Sequence, residues 1–300
     1  MIAASGPSPF AGALRWTAPG AEWAVLAQQP RQCSRAAAAA SDSPPAIAAG
    51  EALFNSPALL GGQASKAGLS CAACHLSGRD NPHFLMPQLS GASGTADVTN
   101  SFFGPQRANG RFDPVAIPDL AMPGKVSRAA DRPDLARFIH NLVVEEFSGA
   151  EPSAATLDAL AAYVRTIGRC PAAGDDQAQP LRLADQLRLI DQSIAGARAV
   201  GGDDRALRRQ LIAAARHQLG LIDERYAAAR HAALRRDLVA ASRDLARIGD
   251  GDTGWRPALD KWHARFAAKL VPRLRQREAV SLYDPAHLRR ALADRARPPD

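Results

Sequence analysis

The stretch LSCAACHLSGRDN, residues 69–81, contains two cysteines three positions apart, with a histidine directly after the second. A Cys-x-x-Cys pair is typical of three kinds of site: a redox dithiol, half of a zinc site and a thioether attachment site for haem. The residue that follows the pair helps to separate these three, and here it is His75. The choice between them therefore depends on Cys71, Cys74 and His75 together.

The surroundings of the pair favour haem. A redox dithiol needs a βαβ setting, and the residues around Cys71 are rich in Ala, Ser and Gly without a strand-like apolar run. A structural zinc site needs four ligands, and the other cysteines, Cys33 and Cys170, are distant in the sequence. Attached haem uses all three residues, since each thiol joins a vinyl group and the imidazole binds iron. The sequence thus predicts one haem c held by Cys71, Cys74 and His75.

Length and composition indicate a water-soluble protein of about two domains. The chain has 300 residues, and no apolar run reaches the roughly 18 residues of a membrane span. The first residues lack the basic start and continuous apolar stretch of a signal peptide, because Pro7 and Pro9 interrupt them. Haem is attached to CxxCH motifs outside the bacterial cytoplasm. We therefore expect a periplasmic protein in which Met1 begins a trimmed or mature form.

Positive charge is concentrated in the second half. Residues 181–300 contain 24 Lys and Arg against 15 Asp and Glu, a net charge of +9, whereas residues 1–180 carry 13 against 15, a net charge of −2. Such a surface can attract an acidic protein or an anionic lipid surface, or it can be an ordinary solvated helix face. Peripheral membrane contact is compatible with it. Nucleic acid fits poorly with an exported haem protein, and we expect none.

Helices are predicted on both sides of the motif. AIAAGEALF, residues 46–54, reads as a short helix, and SAATLDALAAYVRTI, residues 153–167, as a longer one that begins at Ser153. A third begins after Pro133, with apolar residues at i, i+3, i+4 and i+7. Between His75 and Pro133 the chain is rich in Gly, Pro, Asn and Ser, which predicts a long irregular segment. Wrapping a large flat cofactor would explain its length.

Two stretches resemble known haem proteins. Gly50 and Phe54, with Leu160 and Tyr163 on the later helix, are similar to the crossing of first and last helices in class I c-type cytochromes. GEALFNSPALLGGQASKAGLSCAACH, residues 50–75, and residues 138–167 resemble one domain of the bacterial dihaem cytochrome c peroxidase and methylamine-dehydrogenase-maturation family. The resemblance covers about residues 46–168. It implies a cytochrome c-like haem domain.

The chain departs from that family in ways that bear on function. It contains a single CxxCH motif, which excludes a two-haem mechanism within one chain, and residues 76–120 offer no match to distal acid-base residues. The first hypothesis is therefore an exported mono-haem cytochrome that carries single electrons to or from a partner protein. The alternatives are a peroxidase-like haem enzyme with an open or labile distal position, and an assembly or scaffold factor that works through the second half.

The second half is predicted to be helical throughout. The pattern from Asp204 to Ile248 is long enough for an antiparallel hairpin, ended by Gly249, and Asp284 and Pro285 begin a last helix. The predicted class is all-α, a cytochrome c-like haem domain followed by a helical bundle or long helical hairpin. The predicted segments are an N-terminal extension (1–45), a haem domain (46–170), a linker (171–180) and a basic helical domain (181–300).

The sixth iron ligand is predicted to be Met122. This methionine lies in the Pro-rich loop AIPDLAMPGK ahead of the last two helices of the haem domain, where class I cytochromes deliver their methionine. Met86, only 11 residues beyond His75, is the second candidate. His83, His140, Lys125 and an open position are the remaining ones. His217, His231, His263 and His287 lie on predicted helices of the second half and are expected to be ordinary surface or structural residues.

Two expectations concern the N-terminal extension. Cys33 and Cys170 remain after haem attachment, and they flank the haem domain, so we expect them to form a disulfide in an oxidising compartment. Trp16 and Trp23 are expected to pack on the haem domain rather than to face water.

Overall fold

The computed structural model describes residues 10–31, 33–34, 42–168, 178–201 and 204–296. It confirms the all-α class, because the only strands in this part of the chain are two residues long. The helices are α1 (Glu22–Ala27), α2 (Pro44–Phe54), α3 (Gly62–Lys66), α4 (Cys71–Cys74), α5 (Asp134–Asn141), α6 (Ala154–Thr166), α7 (Leu183–Ala199), α8 (Arg205–Arg225), α9 (Ala232–Asp250), α10 (Trp255–Arg265), α11 (Val271–Gln276) and α12 (Pro285–Ala296).

Short elements complete the architecture. The antiparallel strand pairs are β1 (Cys33–Ser34) with β4 (Ile167–Gly168), and β2 (Thr95–Ala96) with β3 (Val115–Ala116). One π-helical segment, Leu142–Glu146, continues α5, and a second, Phe266–Leu270, joins α10 to α11. Single 3₁₀ turns occur at Pro57–Leu59, Leu76–Gly78, Ala229–His231 and Glu278–Val280.

The predicted crossing of α2 and α6 is confirmed. A Cβ atom added at Gly50 would lie 1.9 Å from the carbonyl oxygen of Ala159, so only glycine permits this approach of the two backbones. Beside it, the rings of Phe54 and Tyr163 meet edge to face, with centroids 5.2 Å apart. The two helices are thereby fixed on each other next to the CAACH segment.

Helix starts were also predicted well. The hydroxyl of Ser153 accepts a hydrogen bond from the backbone N–H of Thr156, which caps α6 as the sequence indicated. Asp284 accepts a hydrogen bond of 2.9 Å from the backbone N–H of His287, with Pro285 in the first position of α12. These caps are local signals, because donor and acceptor lie within three residues of each other.

The long helical pattern of the second half is confirmed as a hairpin. It is interrupted after Arg225, and α9 runs past the expected stop at Gly249 to Asp250. Tyr226 at the break is fully buried, and its hydroxyl donates a hydrogen bond of 2.7 Å to the carbonyl oxygen of Leu274. The chain turns between the two helices at this position, where the large side chain of Tyr226 is buried in the core.

The two halves of the chain share one hydrophobic core. A single cluster of buried residues includes Leu53 and Leu160 of the first half and Ile194 and Leu211 of the second. α7 packs on both α2 and α8. Across this contact Arg188 forms an ion pair of 2.7 Å with Glu51. Of the predicted linker only residues 178–180 are described, and separate folding of segments 46–170 and 181–300 stays a prediction.

The N-terminal extension packs on both halves. Trp16 donates its indole N–H to the carbonyl oxygen of Ala67, 2.9 Å away, as expected for packing on the first half. The expectation for Trp23 was wrong, because this residue lies in a second apolar cluster with Leu288, and Arg289 covers its ring. The apolar side of α1 packs against α12, so the extension also contacts the last helix of the second half.

The predicted disulfide stays a prediction. β1 pairs with β4 so that Cys33 lies opposite Gly168, two residues before Cys170 in the sequence. Cys170 and the side chain of Cys33 lie outside the described residues. No helix in the described ranges is long and apolar enough to cross a bilayer.

Candidate functional site

The two motif cysteines and the histidine occupy one helical turn. α4 consists of Cys71–Cys74, and the backbone N–H of His75 closes it by donating to the carbonyl oxygen of Cys71 at 2.8 Å. Both thiols are free and half-buried. Burial raises the pKa of each thiol to about 12, so both stay protonated. A redox dithiol needs the opposite shift, and this geometry argues against that chemistry.

The ring of His75 is oriented by a carbonyl oxygen far along the chain. Its Nδ1 lies 3.1 Å from the carbonyl oxygen of Pro118. A carbonyl only accepts, so Nδ1 carries the proton and Nε2 keeps its lone pair for another partner. Burial lowers the pKa of His75 to about 4, which leaves the ring neutral at pH 7. A neutral, oriented imidazole with one free nitrogen is the form that binds a metal.

An ion pair holds the segment around Pro118 in place. Both carboxylate oxygens of Asp119 lie 3.0 Å from Nε of Arg79, and Oδ2 also lies 3.0 Å from Nη2; both side chains are largely buried. Asp119 also accepts a bond of 2.8 Å from the backbone N–H of Ala121. Arg79 is four residues after His75, and Asp119 directly follows Pro118. The pair therefore joins the two chain segments whose contact orients the imidazole.

Two further contacts hold the turn that carries the cysteines and His75. Asn81 donates a hydrogen bond of 2.8 Å to the carbonyl oxygen of Ala73, inside the motif. The ring of Phe54 lies with its centroid 6.5 Å from that of His75. Phe54 belongs to the α2–α6 crossing, so the crossing and the motif are in direct contact.

The two candidate methionine ligands lie in contrasting environments. Met86 is 4% exposed and packs in the apolar core. Met122 is 44% exposed, only four residues beyond Pro118, and its backbone N–H donates to the carbonyl oxygen of Asp119. A core methionine would have to leave its packing to reach a ligand, whereas an exposed one is available. The contrast favours Met122 over Met86.

The other candidates for the sixth position have different surroundings. The backbone carbonyl of His83 accepts a hydrogen bond of 2.8 Å from Ala18 of the N-terminal extension. His140 contacts Glu151 at 2.8 Å, and hydrogen bonds with Asn141 and Glu151 raise its pKa. Lys125 is exposed and lies beside a shallow depression that also includes Phe138.

Three of the four histidines of the second half contact polar groups of the chain. His231 is 1% exposed and contacts the carbonyl oxygen of Val280. His263 contacts Asp191 and His287 contacts Asp284, at 2.8 and 2.9 Å. His217 is the exception, since it has no hydrogen-bond partner within the described ranges, and burial lowers its pKa to about 4.

A buried carboxyl group near the motif was missed at the sequence level. Glu146 is 5% exposed and forms an ion pair of 3.2 Å with Arg107. Burial raises the pKa of Glu146, and its charge contributes, after burial and Cys71, to the raised pKa of Cys74. The residue ends the π-helical segment Leu142–Glu146. The sequence pattern after Pro133 predicts a regular α-helix. The inserted residue of a π-helix changes which side chains face inward.

No group of three or more His, Cys, Asp or Glu residues in the described ranges is arranged to hold a metal ion. A haem iron takes its other ligands from the porphyrin, so this result leaves the haem prediction as it stands. Comparison of the chain with models of known protein families, with curated proteins and with solved structures finds no match to any of them.

Proposed function

We propose that this protein is a mono-haem c-type cytochrome that carries single electrons to or from a protein partner. One haem c would be attached to the thiols of Cys71 and Cys74, with His75 as axial ligand. When bound, the haem supplies an iron that alternates between the ferrous and ferric states. The observation that carries the proposal is the contact of His75 Nδ1 with the Pro118 carbonyl oxygen, beside two free thiols on the same turn.

The residues around the CAACH turn fit a haem. The imidazole of His75 is neutral at pH 7, as an axial ligand has to be, and its Nδ1 has the hydrogen-bond partner typical of a ligating histidine. Apolar side chains that follow Pro118 are also left in water, with Met122 and Phe138 each 44% exposed. A large apolar cofactor would remove such surface from water, which is favourable by roughly 25 cal/mol per Å².

Met122 is proposed as the second axial ligand. A permanently six-coordinate iron needs little reorganisation on changing oxidation state, and a thioether opposite an imidazole raises the reduction potential. The exposure of Met122 and its separation of four residues from Pro118 support this assignment.

A periplasmic location and a redox partner are parts of the same proposal. Attached haem requires export, and a single haem has to receive its electron from one partner and pass it to another. The net charge of +9 in residues 181–300 fits an acidic partner or an anionic membrane surface.

Co-expression of the full chain with a c-type haem attachment system tests the proposal. The expected product carries haem that survives denaturation, shown by intact mass and by the reduced-minus-oxidised spectrum. The double variant Cys71→Ser, Cys74→Ser should lose it. The double variant Cys33→Ser, Cys170→Ser is the matched control and should keep it. Unmodified wild-type protein from cells that attach haem to a known cytochrome would refute the proposal.

The buried carboxyl group favours a second candidate, a haem enzyme. Burial raises the pKa of Glu146, which is the direction of shift that a carboxyl group acting as general acid or base requires. Arg107 beside it could stabilise negative charge. An enzyme also needs an open or labile sixth position, which distinguishes it from the electron carrier.

Ligand binding and turnover separate the two functions. An enzyme would show a high-spin spectrum that changes with cyanide, and a reaction with hydrogen peroxide that Glu146→Gln slows by about 100-fold or more. The exposed neighbour Glu145 provides the control, since Glu145→Gln should leave the rate unchanged. A low-spin spectrum indifferent to cyanide would leave electron transfer as the function.

A further inference from the structure

A second site is formed where the β2–β3 strand pair opens into a loop. Asp97 directly follows β2, and Asp113 lies two residues before β3. Asp97 is 1% exposed, and its Oδ1 accepts hydrogen bonds from the backbone N–H of Thr99 at 3.1 Å and from the Thr99 hydroxyl at 2.8 Å. Its other oxygen, Oδ2, is buried and has no hydrogen-bond partner among the residues that the structure describes. A buried carboxylate oxygen without a partner is costly, because it has lost its water.

The same hydroxyl group also contacts the second carboxylate. Thr99 Oγ lies 3.0 Å from Oδ1 of Asp113, whose Oδ2 accepts a bond of 3.0 Å from the Asn109 amide. A hydroxyl has one hydrogen to donate, so it cannot serve both carboxylates at once. Hydrogen bonds from Thr99, then Asn109, lower the pKa of Asp113 and keep it ionised. The loop thus brings two carboxylates together, with fewer hydrogen-bond donors than their oxygens can accept.

Positive charge is missing from this cluster. Within the described residues, neither Asp97 nor Asp113 contacts a Lys, Arg or His side chain closely enough for an ion pair. Elsewhere in the first half, buried acids have such partners, as Glu146 has Arg107 and Asp119 has Arg79. Burial of an unpaired carboxylate beside a second one is strongly unfavourable. A bound cation would supply the positive charge that the neighbouring side chains do not provide.

We propose that Asp97 and Asp113 bind a hard divalent cation, and that this cation is Ca²⁺. The free Oδ2 of Asp97, the Asp113 carboxylate and the Thr99 hydroxyl are all oxygen ligands, which Ca²⁺ prefers. Structural zinc sites are built from Cys and His side chains, and the cluster contains neither. Asp113 is exposed, so water completes the shell from the solvent side. An irregular set of this kind suits Ca²⁺ better than Mg²⁺, which demands a near-ideal octahedron.

The bound cation would brace the segment that orients His75. β3 ends at Ala116, and the next two residues are Ile117 and Pro118, whose carbonyl oxygen contacts the imidazole. Ile117 is held to the β2 side by a backbone hydrogen bond of 2.9 Å to Gly94. A cation joining Asp97 to Asp113 closes the loop between the strands and fixes the start of β3. Cation binding itself does not depend on the proposed haem.

Calorimetric titration of the chelator-treated full chain with CaCl₂ tests the site. We expect one Ca²⁺ with a Kd of roughly 0.1–1 mM, in the range of extracellular modules, and a melting temperature that rises with Ca²⁺ concentration. Asp97→Asn and Asp113→Asn should each weaken binding by about tenfold or more. Asp113 is exposed, so its variant keeps the test valid if Asp97→Asn fails to fold. Asp131→Asn, at another exposed acid, is the matched control.

Two results would overturn the proposal. One is the absence of heat and of any change in melting temperature up to 10 mM CaCl₂, roughly ten times the weakest expected Kd. The other is binding that both Asn variants retain at wild-type affinity, which would place the cation elsewhere.

Discussion

Gly50 of α2 lies in backbone contact with Ala159 of α6, so that a Cβ atom on residue 50 would come within 1.9 Å of the Ala159 carbonyl oxygen. The next nearest atoms are also fixed, since they are the Ala159 carbonyl carbon and the Tyr163 Cβ. The helices cannot accommodate a methyl group without separating. This contact sets the distance between the two helices behind the CAACH motif.

Gly50→Ala should therefore destabilise the protein by about 3 kcal/mol or more, because the overlap is with backbone rather than with a movable side chain. Urea unfolding at pH 7 measures the loss. Gly220→Ala is the control, since Gly220 lies in α8 with nothing within 4 Å of an added Cβ, and it should be neutral or stabilise by up to about 1 kcal/mol. Equal stabilities of the two variants would show that the helices can move apart freely.

The ion pair between Arg79 and Asp119 should be important for stability. Asp119→Ala leaves the Arg79 guanidinium largely buried without its carboxylate, and we expect a loss of about 3–5 kcal/mol. The double variant Arg79→Met, Asp119→Leu should lose less than the single one, because no unpaired charge remains. Denaturant unfolding of the wild type and the two variants compares these losses. A double variant that is less stable than Asp119→Ala would contradict this account.

Stability should fall on mild acidification because of His217. Burial lowers the pKa of His217 to about 4, whereas an unfolded histidine titrates near 6.5. Between these values the unfolded chain takes up a proton that the folded protein does not. The free energy of unfolding therefore decreases as the pH falls from about 6.5 to about 4, by on the order of 2–3 kcal/mol from this residue.

The variant His217→Gln isolates this contribution. Its free energy of unfolding should depend less steeply on pH in that window than that of the wild type, as measured by urea titrations at several pH values. Arg216→Gln, at the exposed neighbour on the same helix, should keep the wild-type slope. Identical slopes for His217→Gln and the wild type would show that the imidazole is protonated in the folded state.

Met122→Ala should change the spectrum of the haem-loaded protein. Removal of a thioether ligand converts a low-spin iron to a high-spin one and lowers the reduction potential. Met86→Leu is the control, because Met86 packs in the core and a similar apolar side chain should cost less than about 1.5 kcal/mol and leave the spectrum unchanged. A low-spin spectrum in Met122→Ala would exclude Met122 as the ligand and remove the main support for simple electron transfer.

Sequence by itself determined the features that depend on near neighbours. The cap at Ser153, the start of α12 at Asp284 and the hairpin of α8 and α9 were all predicted. Each arises from groups a few residues apart, so that helical periodicity and side-chain chemistry suffice to specify it. The glycine at the α2–α6 crossing was recognisable too, because only one residue type permits that approach.

Tertiary structure alone decided which distant groups meet. The imidazole of His75 contacts a carbonyl oxygen 43 residues away, and nothing in the local sequence selects Pro118 over the other prolines of the loop. The packing of Trp23 against α12, the burial of Glu146 by a π-helical segment and the pairing of Asp97 with Asp113 are of the same kind. Such contacts depend on the path of the whole chain and on what each group loses when it leaves water, and a pattern of neighbouring residues records neither.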